Sequence, residues 1–194
     1  MQLIYILVIS VTLFSIVHLR TKEEWKSRVI YQLLTDRFSR TDGSTSSCDL
    51  RTYCGGTFRG IMNNLDYITG MGFNAIWISP ILENTENSYH GYHMTNLYKI
   101  NPRFGTEQEF IQMIDACHRN NVWVMVDVVA NHIGPVGTDY RNIIPFNNPS
   151  HYHDYCIIEQ DDFLHNQYRV EVINLFLNYF NLIELSISRC KPNT

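Results

Sequence analysis

The sequence has no cluster of lysine or arginine side chains. Its 194 residues include 15 Lys and Arg against 19 Asp and Glu, a formal net charge of -4 at pH 7, and the pI is near 6.0. Without a basic patch a protein has no electrostatic footprint for a nucleic-acid backbone or an anionic membrane surface, so we exclude nucleic acid as a partner. Charged residues make up only 18% and hydrophobic residues 45%, which excludes general disorder and predicts one substantial core.

The first 17 residues contain no charged side chain and are almost uninterruptedly apolar. This run lacks a basic segment and a clear small-residue cleavage site, but it is shorter than the roughly 20 residues that span a bilayer comfortably. A cleaved secretory signal is therefore favoured over an uncleaved anchor. We expect residues 1–20 to be a signal peptide. The mature protein would be secreted or lie in an endomembrane lumen, with no stable membrane association once the signal is cleaved.

The chain holds five cysteines, which fit an exported protein with one or two disulfides and at least one unpaired thiol. Cys48 and Cys54 are the favoured pair, because they bracket a short loop that is too polar to hold itself in a core. Cys117 lies within a helical pattern. We expect it to be a small buried residue, since buried free cysteine is common.

Three short apolar runs predict β-strands. They cover residues 29–34, 75–78 and 122–129. Ser79 and Pro80 end the second run, because proline cannot donate to a strand ladder. The third run is continuously apolar, which is typical of a strand covered on both faces.

Two helices are predicted between these strands. Gly70 and Gly72 end the first, whose apolar face is formed at helical spacing by Ile61, Leu65, Ile68 and Met71. Thr106 and Glu109 form a capping box for the second, whose apolar side is lined by Phe110, Met113, Ile114 and Cys117. Residues 81–104 show no period and, at about 24 residues, are too long for a simple connector, which predicts a functional loop.

The order β-α-β-α-β predicts a parallel sheet with crossover helices. Three parallel strands cannot close a barrel and leave open edges, so the fold class is α/β and the chain opens a larger architecture. In such folds the C-terminal ends of the strands face the ligand. Asp127, Asn131 and His132 follow the third strand, and Asp36 follows the first. We therefore expect a site at that edge of the sheet.

Nine runs of residues carry a family likeness: 25–31 (WKSRVIY), 33–38 (LLTDRF), 41–44 (TDGS), 54–57 (CGGT), 65–68 (LDYI), 70–73 (GMGF), 75–78 (AIWI), 90–92 (HGY) and 127–132 (DVVANH). By these runs the chain resembles the N-terminal portion of the α-amylase family of glycoside hydrolases, especially the secreted fungal enzymes. The resemblance implies an incomplete (β/α)8 TIM barrel followed by the start of an inserted irregular domain. Residues 21–132 would be the first part of the barrel and residues 133–165 the start of the insertion.

The resemblance assigns substrate contacts to four residues. His132 matches the histidine that donates to a hydroxyl of the glucose unit at the point of cleavage, and Tyr92 matches an aromatic side chain that stacks on the same sugar. His93 stands where the fungal enzymes commonly carry tryptophan, and Arg51 where a glutamine often contacts substrate. A histidine satisfied within its loop and a tyrosine used for packing are the structural alternatives.

Three further residues are matched to the organisation of the site. Asp127 and His90 resemble residues that hold the site together without acting on substrate. Asn131 matches a ligand of Ca2+, a cation that takes about six to eight oxygen ligands. The remaining carboxylate ligands of the family lie later in the sequence, so the calcium site is expected to be incomplete in this chain.

The resemblance implies endo-hydrolysis of α-1,4-glucosidic bonds in α-glucans such as starch, glycogen and maltooligosaccharides. Retaining hydrolysis needs two carboxyl groups about 5–5.5 Å apart, and the family places its nucleophile within a Gly-x-Arg-x-Asp run. No such run occurs between His132 and Thr194, so we predict no catalytic residues and no activity in this chain alone. Residues 166–194 form an atypical apolar tail. The alternatives are a non-catalytic carbohydrate-binding remnant and a membrane-anchored amylase-like protein.

Overall fold

A computed structural model describes residues 20–130, 132–136, 139–152 and 164–165. The elements in chain order are α1 (Lys22–Trp25), β1 (Ile30–Leu33), α2 (Thr35–Phe38), α3 (Phe58–Asn63), α4 (Leu65–Gly70), β2 (Ala75–Ile78), β3 (Leu82–Asn84), β4 (Met94–Ile100), α5 (Glu107–Arg119), β5 (Trp123–Val126) and a 3-10 turn at Pro149–His151. Within those ranges no helix has the length and apolar character needed to cross a bilayer. The predicted tail, and the predicted signal peptide apart from Arg20, lie outside the described residues.

A parallel sheet forms the framework of the molecule. Its strands lie in the order β1-β2-β5, and Leu33, Ile78 and Val126 are level with one another across the register. The carboxyl ends of all three strands therefore meet at one edge. The pairing of β1 with β2 and of β2 with β5 confirms the predicted parallel sheet and the β-α-β-α-β order of its strands and crossover helices. In the part of the chain that the structure describes, this sheet is open.

Helices cover one face of this sheet. Side chains at alternate strand positions, including Tyr31, Ile76 and Val124, pack with α3 and α5 into one hydrophobic core. The core is closed by fully buried side chains from the helices and from one loop, Phe58, Ile61, Ile68, Met113 and Phe104. The intervening strand positions face the other way, and Gln32, Trp77 and Met125 lie level with one another on that second, less covered face.

The first predicted helix is in fact two short helices, α3 and α4, separated by Asn64. The Asn64 side-chain amide donates to the carbonyl oxygen of Gly60 at 2.8 Å and to Ser39 Oγ at 3.0 Å. An amide side chain that binds nearby backbone groups competes with helix continuation. The predicted apolar face is buried at Ile61, Leu65 and Ile68. Met71 is 45% exposed, contrary to the prediction, because it lies beyond the end of α4.

Helix α5 forms as predicted, and so do the states of the three cysteines among the described residues. Glu109 N–H donates to Thr106 Oγ1 at 3.2 Å and Thr106 N–H donates to Glu109 Oε2 at 2.7 Å, which confirms the capping box. Cys117 is a buried free thiol on this helix, and burial raises its pKa to about 12. Cys48 and Cys54 form the predicted disulfide, which closes residues 48–54 into a loop that we call the disulfide loop.

The prediction of a loop throughout residues 81–104 is wrong, because β3 and β4 pair antiparallel within it. The register of this pair is irregular between Leu82 and Asn84. The buried residues of β4 are Met94 and Asn96. Asn96 Oδ1 accepts a hydrogen bond from the backbone N–H of Tyr98 at 3.0 Å. A polar residue on the buried face and an irregular partner strand together hide the two-residue period that identifies a strand.

Two strands of the parallel sheet are shorter than predicted. β1 leaves out Val29 and Leu34, which are both exposed, and β5 ends at Val126. Val128, which was expected to continue β5, is 78% exposed. The expectation that this strand is covered on both faces is wrong for the described residues, because Trp123 is the only buried residue of β5 and the other three are partly exposed.

Helix α1 packs against the amino-terminal end of the sheet. The rings of Trp25 and Trp123 meet edge to face with centroids 5.1 Å apart, and the Arg28 guanidinium lies 3.7 Å from the Trp123 ring centroid. Arg28 also donates to the backbone carbonyl of Asn121 at 3.2 Å. These aromatic and cation–π contacts hold α1 and Arg28 at the end of the sheet opposite the carboxyl edge.

Replacing Ile68 by alanine tests the assignment of the core face. Ile68 is fully buried, whereas Ile111 on α5 is 44% exposed. We expect Ile68→Ala to lower the free energy of unfolding by about 2–5 kcal/mol because it leaves a cavity, and Ile111→Ala to change it by less than about 0.5 kcal/mol. Urea unfolding followed by circular dichroism measures both values. Equal losses from the two substitutions would contradict the assignment.

Candidate functional site

A cavity of about 190 Å³ opens at the carboxyl edge of the parallel sheet. All three strands contribute to its wall, either through their last residues or through the residues that follow them. The lining residues are Gln32, Leu33, Leu34, Trp77, Ser79, Tyr92 and Asp127. It lies at the edge of the sheet where the sequence predicts a site.

Tyr92 and Asp127 meet at this cavity. Asp127 directly follows β5, and its backbone N–H donates to the carbonyl oxygen of Ile78 at 3.0 Å, which continues the sheet ladder by one bond. Its carboxylate accepts a hydrogen bond from the Tyr92 hydroxyl at 2.7 Å. Burial, together with the adjacent carboxylate, raises the pKa of Tyr92 to about 12. The phenol therefore keeps its proton and remains a donor at neutral pH.

His132 approaches Tyr92 from the segment that follows β5. Its Nε2 lies 2.8 Å from the backbone carbonyl oxygen of Tyr92. Because a carbonyl oxygen only accepts, this contact assigns a proton to Nε2 and, in the neutral ring, leaves Nδ1 as an acceptor. The side chain of His132 is exposed. The structure thus brings together three of the predicted site residues, His132, Tyr92 and Asp127.

The loop between β3 and β4, residues 85–93, positions Tyr92, and we call it the histidine loop. His90 Nδ1 accepts a hydrogen bond from the Tyr92 N–H at 3.0 Å, and the two rings stack with centroids 5.8 Å apart. The His93 ring meets His90 edge to face at 4.6 Å. His93 N–H donates to Asn84 Oδ1 at 2.7 Å, and its Nδ1 lies 2.9 Å from Ser88 Oγ. Burial lowers the pKa of both histidines, which favours their neutral rings.

Gly91 allows the histidine loop to pack against the end of β2. Its φ is +87°, and a Cβ atom at this position would lie 2.3 Å from the carbonyl oxygen of Pro80. Only glycine combines this backbone conformation with so close an approach. The loop that carries His90 and Tyr92 is therefore fixed backbone to backbone against the sheet.

The roles of two further predicted site residues, Arg51 and Asn131, stay predictions. Arg51 lies on the disulfide loop, where its exposed guanidinium pairs with Asp49 at 3.0 Å, and its role as a substrate contact stays a prediction. Asn131 lies outside the described residues. Among the residues that are described, no group of three or more His, Cys, Asp or Glu side chains could hold a metal ion. Calcium binding therefore also stays a prediction.

Part of the cavity wall was not predicted from the sequence motifs, namely Gln32, Leu33, Leu34, Trp77 and Ser79. Gln32 and Trp77 are level with each other in β1 and β2, on the face turned away from the helices. One residue of the sequence could have indicated this wall: Gln32 places an amide within the apolar run 29–34. Its significance depends on which strand pairs with β1, and the local sequence does not specify that pairing.

The fold and the site define a class of protein, the opening portion of a parallel α/β barrel with a ligand site at the carboxyl ends of its strands. Comparison with known proteins gives the family. The family description "Alpha amylase, catalytic domain" matches residues 32–176, and the chain belongs to this α-amylase family. The match confirms the resemblance that the sequence motifs carry and identifies the open sheet as part of a (β/α)8 barrel.

Individual relatives agree with this assignment. The chain is 50% identical over 149 residues to alpha-amylase mde5 of Schizosaccharomyces pombe, an alignment that covers 72% of this chain and 29% of the relative. It is 47% identical over 153 residues to the alpha-amylase of Saccharomycopsis fibuligera, with 72% and 31% covered. The structure of an alpha-amylase from Malbranchea cinnamomea superposes with a TM-score of 0.69 at 47% identity, covering 74% of this chain and 33% of that one. The chain therefore spans roughly three tenths of the length of these curated relatives.

The pH dependence of folding tests the neutral state of His90. Burial lowers its pKa from 6.5, so the unfolded chain binds more protons than the folded chain as the pH falls. The contribution of His90 to the free energy of unfolding should be constant above about pH 7.5, decline as the pH falls through the unfolded-state pKa, and level off below the folded-state pKa. His90→Asn keeps an acceptor near the position of Nδ1 and should reduce this decline. Urea unfolding at a series of pH values gives the slope, and an unchanged slope in the variant would refute the assignment.

Proposed function

We propose that this chain forms one side of an α-glucan-binding cleft and that the complete protein hydrolyses α-1,4-glucosidic bonds in starch or glycogen. The main support is the convergence of Tyr92, Asp127 and His132 at the carboxyl edge of a parallel sheet in a chain of the α-amylase family. Parallel α/β barrels bind their ligands at this edge. A related solved structure, the alpha-amylase of Geobacillus thermoleovorans complexed with acarbose, superposes with a TM-score of 0.61 at 32% identity and covers 71% of this chain and 30% of that one.

The side chains at this edge suit a polyhydroxylated ring. Tyr92 is half-buried, and its ring can stack on the apolar C–H face of a pyranose. A sugar hydroxyl can replace the Tyr92 carbonyl as the acceptor for His132 Nε2–H, or it can donate to Nδ1. Asp127 is engaged by the Tyr92 hydroxyl, which makes it a positioning group for the aromatic ring. The cleft therefore offers one stacking face and one reversible hydrogen-bonding group.

Bond cleavage requires groups that these residues do not provide. Retaining hydrolysis uses two carboxyl groups about 5–5.5 Å apart, one as nucleophile and one as general acid. The relatives are about three times as long as the segment matched here, and we assign the catalytic pair to the remainder of such a protein. This chain alone would then bind glucan without cleaving it. For the complete protein, no specific observation favours a membrane-anchored or purely non-catalytic role.

Secretion and calcium binding complete the proposal. The apolar run at residues 1–17 supports export through a cleaved signal. Asn131 supports calcium, because amide oxygens are among the ligands that Ca2+ takes, and the ion needs about six to eight of them. Asn131 immediately precedes His132 in the sequence. A bound ion would therefore restrain the backbone beside the histidine that the cleft uses.

Maltoheptaose binding tests the proposed cleft. We expect Tyr92→Ala to weaken the affinity roughly tenfold, equivalent to about 1.4 kcal/mol, because the stacking face is lost. Tyr98→Ala is the matched control, since Tyr98 is 75% exposed on β4 and does not line the cavity. Isothermal titration calorimetry measures both affinities. Equal losses from the two substitutions would exclude this cleft, and release of reducing sugar from starch by the same chain would exclude the assignment of the catalytic pair.

A further inference from the structure

Arg37 lies between the disulfide loop and the histidine loop, which carries Tyr92, and the function proposed above does not use it. It belongs to α2, directly after β1, and its side chain is 19% exposed. The neighbouring Asp36 is fully buried, and its carboxylate accepts hydrogen bonds from the backbone N–H groups of Cys54 at 2.8 Å and Gly55 at 3.1 Å. The segment after β1 therefore already holds one end of the disulfide loop.

The edge of the Arg37 guanidinium binds the disulfide loop. Its Nη2 donates to the carbonyl oxygens of Leu50 and Thr52, both at 2.8 Å. Its Nη1 contacts the sulfur of Cys54. A guanidinium carries its five N–H donors in one plane, so one side chain can hold several groups of a tight loop at once. The backbone of the disulfide loop is thereby folded around this cation.

The face of the same guanidinium packs against the histidine loop. Arg37 Cζ lies 3.7 Å from the centroid of the Tyr89 ring. The Tyr89 ring meets the His90 ring edge to face at 5.3 Å, and His90 accepts the backbone N–H of Tyr92. A continuous series of contacts therefore leads from Arg37 to Tyr92. Lysine carries the same charge, but it has neither the planar face nor the fork of donors.

We propose that Arg37 is a positioning residue for glucan binding. It sets the position of the histidine loop, and with it the Tyr92 ring, relative to the disulfide loop, and it does so through Tyr89. This inference rests on the proposed function. Tyr53 provides a second connection, because its hydroxyl donates to the carbonyl oxygen of Ser88 at 3.2 Å. Loss of the Arg37 contact therefore loosens the histidine loop without detaching it.

A double-mutant cycle with Arg37→Lys and Tyr89→Leu tests this route. Each single substitution should weaken maltoheptaose affinity by about threefold to fivefold, and the double substitution should weaken it no more than either one. Tyr89→Phe keeps the ring face and should bind like the unchanged protein. Arg28→Lys is the matched control, because Arg28 lies at the same 3.7 Å distance over the Trp123 ring at the opposite end of the sheet.

Hydrogen exchange by mass spectrometry supplies a readout that needs no ligand. Arg37→Lys should speed exchange in residues 48–54 and 85–93, Tyr89→Leu only in residues 85–93, and neither in β2, which reports on overall folding. Additive losses of affinity, or unchanged exchange in residues 85–93 of Arg37→Lys, would overturn the inference. If Arg37→Lys also speeds exchange in β2, the comparison of Tyr89→Leu with Tyr89→Phe tests the inference instead. Equal exchange of residues 85–93 in those two variants would overturn the inference. If the unchanged protein fails to bind maltoheptaose, the proposed function fails, while the exchange results still decide the position of the loop.

Discussion

The parallel register of β1, β2 and β5 is the constraint on which the candidate site depends. Because Leu33, Ile78 and Val126 are level, the segments that follow the strands leave the sheet at one edge. Asp127 adds one more bond of the same ladder, to Ile78, and this places its carboxylate at the cavity. A shift of one residue in β5 would turn its core-facing side chains to the other face and move Asp127 away from Tyr92.

Tyr92 is held at this edge of the sheet by three hydrogen bonds. It uses each of its polar groups once: the N–H for His90, the carbonyl oxygen for His132 and the hydroxyl for Asp127. A single such bond contributes only about 0.5–1.5 kcal/mol, but bonds within the histidine loop and to the segment after β5 hold Tyr92 from two sides. With its polar groups engaged and its ring stacked on His90, Tyr92 can contact a ligand through the part of the ring that lines the cavity. Gly91 and Arg37 support this arrangement from the side of the loop.

Local patterns in the sequence were sufficient where the deciding contacts are local. The limits of β2 follow from an apolar run that a proline ends, and the start of α5 follows from Thr106 and Glu109 within one turn. Tyr92, Asp127 and His132 were found because motifs and strand ends marked them. Predictions failed where the pairing of two segments decides: residues 81–104 were predicted to be a loop, and the β3–β4 pairing there buries Asn96. The cavity wall and the contacts of Arg37 depend on such pairings too.

Mapping of maltoheptaose by NMR chemical-shift perturbation tests the central claim most directly, because it locates the ligand on the sheet. If the carboxyl edge is one side of a glucan cleft, saturable shifts should appear in residues 90–93 and at Asp127 and His132. Trp25, Arg28 and Trp123, at the amino-terminal end of the same sheet, should not shift. Shifts confined to that opposite end, or shifts of equal size at both ends, would contradict the account.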